Sequence, residues 1–318
     1  MTTKTKNLIY ELTQNSRIST KELGKKLKVS QQAASYLIKN LHDKKVILSP
    51  SVILDSAKFG YLQVYVYFNY LNFSKKKEII NELKSIDSVV MVEELEQGYD
   101  LAVMFSVPNL SYYNKQVRDF LQQFKSSLKL AEVYPIVAKH IYPRKYLALK
   151  KPHSEIVVFG DRDLEELNNT DRQVLSAFWE NSEQRVIDIH KKTGLNPKTI
   201  VKIKKNLEER KVIRGYTANF DIGILNIKKK HILISSSDLP LDQDKKLLHF
   251  AFIHPNIVAL TRFIGDYDLL IEVEQEIGCK KDVLKDLRTE FPIQRYKVID
   301  CGNTLLRKFI PHTALLEE

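Results

Sequence analysis

The sequence predicts an α+β fold in which one structural unit occurs twice along a chain of 318 residues. Two observations lead to this prediction. Stretches about half a chain apart align with each other, and in each copy the helical spacing of apolar residues gives way to alternating strands. Because single hydrophobic cores seldom grow beyond about 250 residues, this length also favours several domains.

The internal repeat is clearest after the third predicted helix of each copy. KNLHDKKVI, residues 39–47, aligns with KNLEERKVI, residues 205–213, and six of the nine positions are identical. Farther along, Tyr99-Asp100-Leu101 meets Tyr267-Asp268-Leu269. The predicted domains are therefore residues 1–55, 56–147, 170–221 and 222–318, and they leave a linker at 148–169 whose apolar run 156–159 predicts one strand.

Each copy begins with the pattern of three short helices. Ser19-Thr20-Lys21-Glu22 is a capping box that starts the second helix of the first copy. Ser30 caps its third helix, and Asn196 does the same in the second copy. Each third helix leads into an extended segment, 46–55 and 212–221. Three helices with a tight turn between the second and third, followed by a strand pair, predict a winged helix-turn-helix domain.

Excess positive charge is concentrated in these helical parts. Residues 1–54 hold ten Lys or Arg and three Asp or Glu, and residues 170–220 hold eleven and six. The two segments, at +7 and +5, account for the net charge of +11, so the rest of the chain is nearly neutral. Compact basic segments of this kind are typical of nucleic-acid contact.

The outward positions of the two third helices are the candidate DNA-binding residues, because that helix enters the major groove. Glutamine can form two hydrogen bonds with adenine, and lysine can reach phosphates or guanine. The second copy is richer in lysine, which favours phosphate contacts that position a protein without specifying sequence. The candidates are Gln31, Gln32, Ser35, Tyr36, Lys39, Lys198, Thr199, Lys202 and Lys205.

The second part of each copy changes to strands and helices in the order βαββαβ. In the first copy the predicted strands are 61–70, 89–95, 100–107 and 132–142, with helices at 73–85 and 110–128. In the second copy the strands are 227–235, 257–264, 268–274 and 294–301, with helices at 241–252 and 280–290. This order predicts a ferredoxin-like domain, an antiparallel sheet with helices on one face. We expect the two uncovered sheet faces to pack on each other.

The arrangement resembles the Lrp/AsnC ("feast/famine") transcription factors, and in particular their fused tandem versions found in archaea. NSRISTKELGKKLKVS resembles the first two helices of that family, KNLHDKKVI and KNLEERKVIRGYTANFD its passage from third helix to wing, and FIGDYDLLIEVE its effector-domain signature. The resemblance implies a regulator that binds double-stranded DNA as a dimer or larger assembly, often tuned by an amino acid. On one chain it implies an intramolecular pseudo-dimer, with further homo-oligomers left open.

The resemblance also places an effector loop between the effector domains. In the first copy Gln97 and Gly98 stand where the second copy has a Gly-Asp pair, so the first copy matches only in part. A carboxylate in this loop could meet the α-amino group of an amino acid, although a Gly-Asp turn over a packed tyrosine is also ordinary hairpin chemistry. The effector candidates are Tyr99, Asp100, Gly265, Asp266, Tyr267 and Asp268.

Two other functions are alternatives. Siroheme decarboxylases use the same doubled architecture, but they carry a Tyr-Asn-Leu-Trp-Phe-type strand where this chain has Tyr99-Asp100-Leu101-Ala102-Val103, and their clustered His and Arg are not evident among eight scattered histidines. His140, Tyr142 and Arg144 alternate along one strand and could form a polar site, although a polar strand edge is the simpler interpretation. The other alternative is a helix-turn-helix module for protein or RNA contacts. We expect that the protein is not an enzyme.

The composition favours a protein of the reducing cytoplasm. It is 43% hydrophobic and 28% charged, with no apolar run of about 18 residues that would span a membrane. The N-terminus lacks the apolar core and cleavage site of a secretory signal. Only Cys279 and Cys301 are present, too few for a disulfide framework or a thiolate metal site. We expect neither a metal nor a cofactor.

Overall fold

The computed structural model describes residues 2–148, 154–236, 240 and 243–316, and it contains both predicted kinds of domain twice. Part of the predicted linker, residues 149–153, lies outside this range. The helices are α1 Thr3–Gln14, α2 Thr20–Leu27, α3 Gln31–Asp43, α4 Lys76–Ser85, α5 Leu110–Gln123, α6 Asn169–Glu180, α7 Val186–Thr193, α8 Pro197–Glu209, α9 Gln243–Ile253 and α10 Val283–Glu290. The strands are β1 Ile47–Leu54, β2 Leu62–Tyr70, β3 Val89–Leu95, β4 Leu101–Val107, β5 Leu128–Ile141, β6 Ile156–Val158, β7 Ile213–Phe220, β8 Ile227–Ile234, β9 Ile257–Phe263, β10 Leu269–Glu276 and β11 Tyr296–Arg307.

The helical domains, called heads here, consist of α1–α3 and α6–α8. Their helices begin where the sequence predicts, because Ser19, Ser30 and Asn196 each accept a backbone N–H of the first helical turn. Apolar side chains on the inner helix faces are fully buried, among them Leu23 in the first head and Ile200 in the second. The first head therefore has its own small core, whereas the core of the second head is continuous with that of the strands beneath it.

The strand pair of the heads differs from the expectation that each copy has its own. β1 and β7 pair with each other in an antiparallel ladder, so one strand comes from each copy. Arg17 strengthens the junction, because its guanidinium donates to the carbonyl oxygens of Ser182 and Gln184 and lies 4.9 Å from the Phe178 ring centroid. The two heads are thus held together by backbone hydrogen bonds and by a cation–π contact.

The two ferredoxin-like domains form one closed ring of strands, in the order β5-β2-β4-β3-β11-β8-β10-β9 and back to β5. The expectation that the two uncovered sheet faces pack on each other holds inside this ring, where the ring centroids of Tyr65 in the first copy and Phe263 in the second lie 5.6 Å apart. The sequence did not predict that the edges of the two sheets also pair. The outer strand of each sheet pairs with the other copy, because an unpaired edge would leave backbone donors and acceptors unsatisfied. The predicted linker strand, β6, adds to β5 beside the ring. We call this ring the barrel.

Helices α4, α5, α9 and α10 cover the outside of the barrel. Apolar residues such as Leu83 and Phe120 pack against the outward faces of the first-copy strands, and Leu247 and Leu287 do so in the second copy. Several predicted boundaries shift: α5 ends at Gln123, α10 begins after its cap Asp282, and β11 continues to Arg307. Within the described ranges, no helix is long and apolar enough to cross a membrane.

Candidate nucleic-acid interface and interior sites

The third helix of the first head, α3, presents all five of its predicted DNA-binding side chains to solvent. Tyr36 is 68% exposed, so its ring is available to a partner surface. Gln31 donates from Nε2 to the hydroxyl of Thr20 at 3.2 Å, and this contact orients the Gln31 amide toward the N-terminus of α2. Thr20 was not predicted from the sequence, and it lies in the same shallow depression as Ser30 and Ser35.

The third helix of the second head, α8, is a lysine-rich face. All four predicted residues of this helix are exposed, namely Lys198, Thr199, Lys202 and Lys205. Lys205 also pairs with Glu209 at 3.4 Å, so its charge is partly neutralised. Val201 is 52% exposed on this helix, and an exposed apolar side chain there can contact a thymine methyl group. Val201 was not among the predicted residues, although its spacing of three from Lys198 and four from Lys205 places it on the same outward face of the helix. Direct DNA contact by these residues of α3 and α8 stays a prediction.

The predicted effector loop lies at a junction between the two copies. Gly265 of the second copy approaches β5 of the first so closely that an added Cβ would lie 2.7 Å from the Tyr134 ring. In the first copy, Tyr99 stacks on Tyr67 with centroids 4.5 Å apart, and Lys297 of the second copy lies 3.4 Å from its ring centroid. Both loops therefore occupy positions between the effector domains, as the resemblance implies.

The aspartates of these loops differ in whether their carboxylates bind the end of a neighbouring strand or are exposed to solvent. Asp268 accepts a hydrogen bond from the backbone N–H of Ser236 at 2.6 Å, and Asp100 accepts from the backbone N–H of Tyr70 at 2.7 Å. Each carboxylate thus fixes the end of a neighbouring strand in its own copy. Asp266 is largely exposed and lies 3.3 Å from Arg295. Tyr267 also faces Arg295, whose guanidinium lies 5.1 Å from the Tyr267 ring centroid. An effector role for the loop stays a prediction.

The barrel interior contains a charged network that the sequence pattern did not predict. Lys229 lies 2.8 Å from Glu93 and 3.1 Å from Glu272, and Lys139 also pairs with Glu272. Burial opposes charge on these groups, but Lys229 and His231 lower the pKa of Glu93 to about 2. In the same way Lys139 and Lys229, against the effect of burial, hold the pKa of Glu272 well below its ordinary value. The two carboxylates and Lys229, whose pKa these carboxylates raise against the effect of burial, are therefore ionised at neutral pH, whereas burial lowers the pKa of Lys139.

A second ion pair, between Arg144 and Glu274, lies at the end of the barrel that faces the heads. Arg144 donates from Nε and Nη2 to the Glu274 carboxylate at 2.6 and 2.9 Å, and the Tyr146 hydroxyl donates to the same group at 2.8 Å. The strand β5 ends at Ile141, so Tyr142 and Arg144 follow it, and of the three alternating residues only Arg144 takes part in this pair. His140 meets Glu155 of the linker at 3.1 Å, and Tyr142 is buried in the apolar core of the second copy. The predicted polar site along this strand therefore does not form.

Three potential metal ligands also meet inside the barrel. Ligand atoms of Glu93, His231 and Cys301 lie within 4.8 Å of one another. However, the Lys229 ammonium and the Thr304 hydroxyl already donate to Glu93, at 2.8 and 3.0 Å. A cation would be repelled by that ammonium, and burial raises the pKa of the Cys301 thiol well above its ordinary value, which makes it a poor ligand. The geometry supports an ion-pair network better than a metal centre.

A cavity of about 730 Å³ separates the barrel from the heads. Its floor is the charged end of the barrel, including Lys229, Glu274 and Arg307, and its roof is the β1–β7 pair. Trp179, the single tryptophan of the chain, lies at its side on α6 and donates from Nε1 to the carbonyl of Ile310 at 2.9 Å. The Lys308 ammonium lies 4.6 Å from the centroid of that indole.

Comparisons with known proteins agree with this architecture. Residues 1–47 match the family described as winged helix-turn-helix DNA-binding. An uncharacterized HTH-type transcriptional regulator of Pyrococcus abyssi is 27% identical over 121 residues, which are 38% of this chain and 82% of that protein. The HTH-type transcriptional regulator Ptr1 of Methanocaldococcus jannaschii is 26% identical over 102 residues, 31% of this chain and 69% of that protein.

Two other matches are a regulator named LrpB and a solved structure that has the same fold over nearly the whole chain. The HTH-type transcriptional regulator LrpB of Bacillus subtilis is 22% identical over 124 residues, 39% of this chain and 83% of that protein. The crystal structure of the siroheme decarboxylase NirDL covers 97% of this chain and 94% of its own, with a TM-score of 0.60 and 12% identity, so it shares the fold. Residues 1–47 are therefore a winged helix-turn-helix unit, and the chain is similar to HTH-type transcriptional regulators, one of which is named LrpB. This similarity supports DNA binding.

Proposed function

We propose that this protein is a cytoplasmic transcriptional regulator that binds a specific double-stranded DNA sequence through α3 and α8, as a pseudo-dimer of two fused Lrp/AsnC-like units. The observation that carries the proposal is the joint between the heads. The β1–β7 ladder and Arg17 fix the two exposed third helices relative to each other on one chain. Two such helices suit successive major grooves about 34 Å apart.

The two heads contribute unequally in this proposal. The glutamines and Tyr36 of α3 can distinguish base edges, whereas Lys198 and Lys202 of α8 supply phosphate contacts. The first head therefore supplies most of the sequence preference and the second supplies salt-dependent affinity. A regulator of this kind has no catalytic step.

An amino-acid effector fits best at the loop from Gly265 to Asp268. Asp266 is the carboxylate of this loop that is not used to hold a strand, so it is the group that can meet an α-amino group. Arg295, which pairs with Asp266, can meet the α-carboxylate of the same ligand. Isothermal titration with the twenty amino acids, repeated with Asp266→Asn, tests this assignment: unchanged binding by the variant would reject it.

Sequence-specific binding is tested by fluorescence anisotropy on a duplex from the region upstream of the protein's own gene, against a scrambled duplex. We expect a preference of at least about a thousandfold at physiological salt, and its loss in the variant Gln31→Ala/Gln32→Ala/Tyr36→Ala. The matched control is Gln122→Ala/Gln123→Ala/Tyr112→Ala on α5, which removes the same residue types from an exposed helix of the barrel. No binding to either duplex at low salt would refute the proposal.

A siroheme-decarboxylase-like activity is the second candidate, because the likeness to NirDL extends over nearly the whole chain. At 12% identity that likeness shows the fold alone. Titration of the protein with an iron uroporphyrin, followed by visible absorbance, separates the candidates. A saturable shift of the tetrapyrrole spectrum together with absent duplex binding would favour the enzyme over the regulator.

A further inference from the structure

We propose that the cavity between the barrel and the heads is a binding site for a small organic carboxylate with an apolar body, and that its occupancy changes the DNA affinity of the heads. The second half of this proposal rests on the proposed DNA-binding function, whereas the first half does not. The site is separate from the loop at Gly265 to Asp268, which lies outside the cavity lining.

The charge of the cavity points to an anion. Two of its cations are already neutralised, because Arg144 pairs with Glu274 and Lys229 lies between two buried carboxylates. Arg307 and Lys308 also line the cavity, and neither forms an ion pair with any residue that the structure describes. Two carboxylates of the lining have partners of their own, because Glu180 pairs with Lys192 and Asp221 accepts the backbone N–H of Ile224 at 3.0 Å. Arg307 and Lys308 are therefore the half-buried cations that remain for a ligand, and a guanidinium is suited to a carboxylate because it can donate two parallel hydrogen bonds.

The remaining walls point to an apolar body. Val52 of β1 and Phe220 of β7 contribute to the roof, and Trp179 contributes an indole at the side. The cavity's volume of about 730 Å³ lies within the usual range for small-molecule sites, which is about 300 to 1,000 Å³. A ligand with its carboxylate at Arg307 would thus reach apolar and aromatic side chains with the rest of its surface.

The position of the cavity explains the link to DNA binding. β1 and β7 directly follow the third helices α3 and α8, and they form the joint between the heads. A ligand that touches both the barrel floor and this strand pair favours the arrangement of the heads in which both contacts are made. Ligand binding and DNA binding are then coupled, and each changes the affinity of the other by the same factor.

The single tryptophan makes the site testable on the full chain without DNA. The probe is 1-anilinonaphthalene-8-sulfonate, an aromatic anion whose emission is excited through energy transfer from Trp179. We expect saturable transfer with one probe per chain, and at least about tenfold weaker binding for Arg307→Gln, because a charge-assisted contact is lost. Arg118→Gln, an exposed position on α5, is the matched control and should bind as the unchanged protein does.

Competition tests the ligand class with the unchanged protein, so that misfolding of a variant cannot imitate the result. We expect 2-naphthoate to displace the probe and the uncharged isostere 2-naphthamide to fail. Equal displacement by both compounds, or an Arg307→Gln variant that binds the probe unchanged, would overturn the anion site. Saturating 2-naphthoate should then shift the duplex affinity at least about threefold. An unchanged affinity would overturn the coupling, and absent duplex binding without ligand would instead reject the proposed function.

Discussion

Lys229 is the side chain whose removal should most disturb the barrel interior. Its ammonium lies 2.8 Å from Glu93 and 3.1 Å from Glu272, and all three residues are at most 6% exposed. Burial disfavours its charge, but these two carboxylates raise the pKa of Lys229 above its ordinary value. The variant Lys229→Met keeps the aliphatic stem and removes only this charge, so it leaves an unbalanced carboxylate inside the barrel.

The expected cost follows from which contacts remain. Glu272 keeps Lys139, whereas Glu93 keeps only the Thr304 hydroxyl at 3.0 Å and the His231 ring at 3.2 Å. Removing one partner of a buried pair costs about 3 to 5 kcal/mol, and we expect the lower end because one carboxylate stays paired. Urea denaturation at pH 7, followed by circular dichroism, measures this loss.

Two further variants complete the experiment. Lys228→Met is the matched control, because Lys228 precedes Lys229 on the same strand and is exposed, so its loss should change stability by less than about 0.5 kcal/mol. Lys229→Met/Glu93→Gln should be more stable than Lys229→Met alone, because the unbalanced charge is removed too. Equal stability of Lys229→Met and the control would show that the network is not a buried ion pair.

The remaining predictions concern acid stability, thiol reactivity and DNA affinity. The pKa values of Glu93 (about 2) and Glu272 are lower in the folded chain than the ordinary 4.5, so these two groups stabilise the fold fully above pH 4.5, and this stabilisation is lost as pH falls toward 2. Urea unfolding at stepwise pH should show this loss of stability. The variant Glu93→Gln should reduce the slope of unfolding free energy against pH. Burial raises the pKa of Cys301, so a thiol reagent at pH 8 should modify Cys279 quickly and Cys301 only on unfolding, and two fast thiols would contradict the structure. Lys202→Gln should weaken binding to specific and scrambled duplexes alike and lower the salt slope by about one, whereas a change in sequence preference would refute its assignment to phosphate.

Local sequence signals predicted the elements well. The side chains of Ser19, Ser30 and Asn196 cap the helices as expected, because a cap depends on residues only two or three positions apart. The order of strands and helices in each copy followed from apolar periodicity for the same reason. These signals also placed the exposed faces of α3 and α8 correctly.

Closure of the barrel was not predictable from local patterns. The alternation in LLIEVEQE, residues 269–276, is typical of a strand with one face in water, yet Glu272 and Glu274 point into the barrel. Their partners Lys139 and Arg144 are 133 and 130 residues away in sequence. A charged residue reads as exposed until the long-range strand pairing that encloses it is known.

The head–barrel cavity was missed for a related reason. Arg307 belongs to a strand that was predicted to end at Cys301, and Trp179 lies on the first helix of the second head. Only the pairing of β1 with β7 places a roof above these two residues, and each of those strands was expected to pair within its own copy. A site that three distant segments form leaves no spacing signature in the sequence.

The central claim, that both heads of one chain read a single duplex, is tested most directly by hydroxyl-radical footprinting on the upstream region of the protein's own gene. We predict two protected blocks about 10 base pairs apart, with Gln31→Ala/Gln32→Ala weakening one block and Lys198→Gln/Lys202→Gln weakening the other. A single protected block, unaffected by the α8 substitutions, would contradict it.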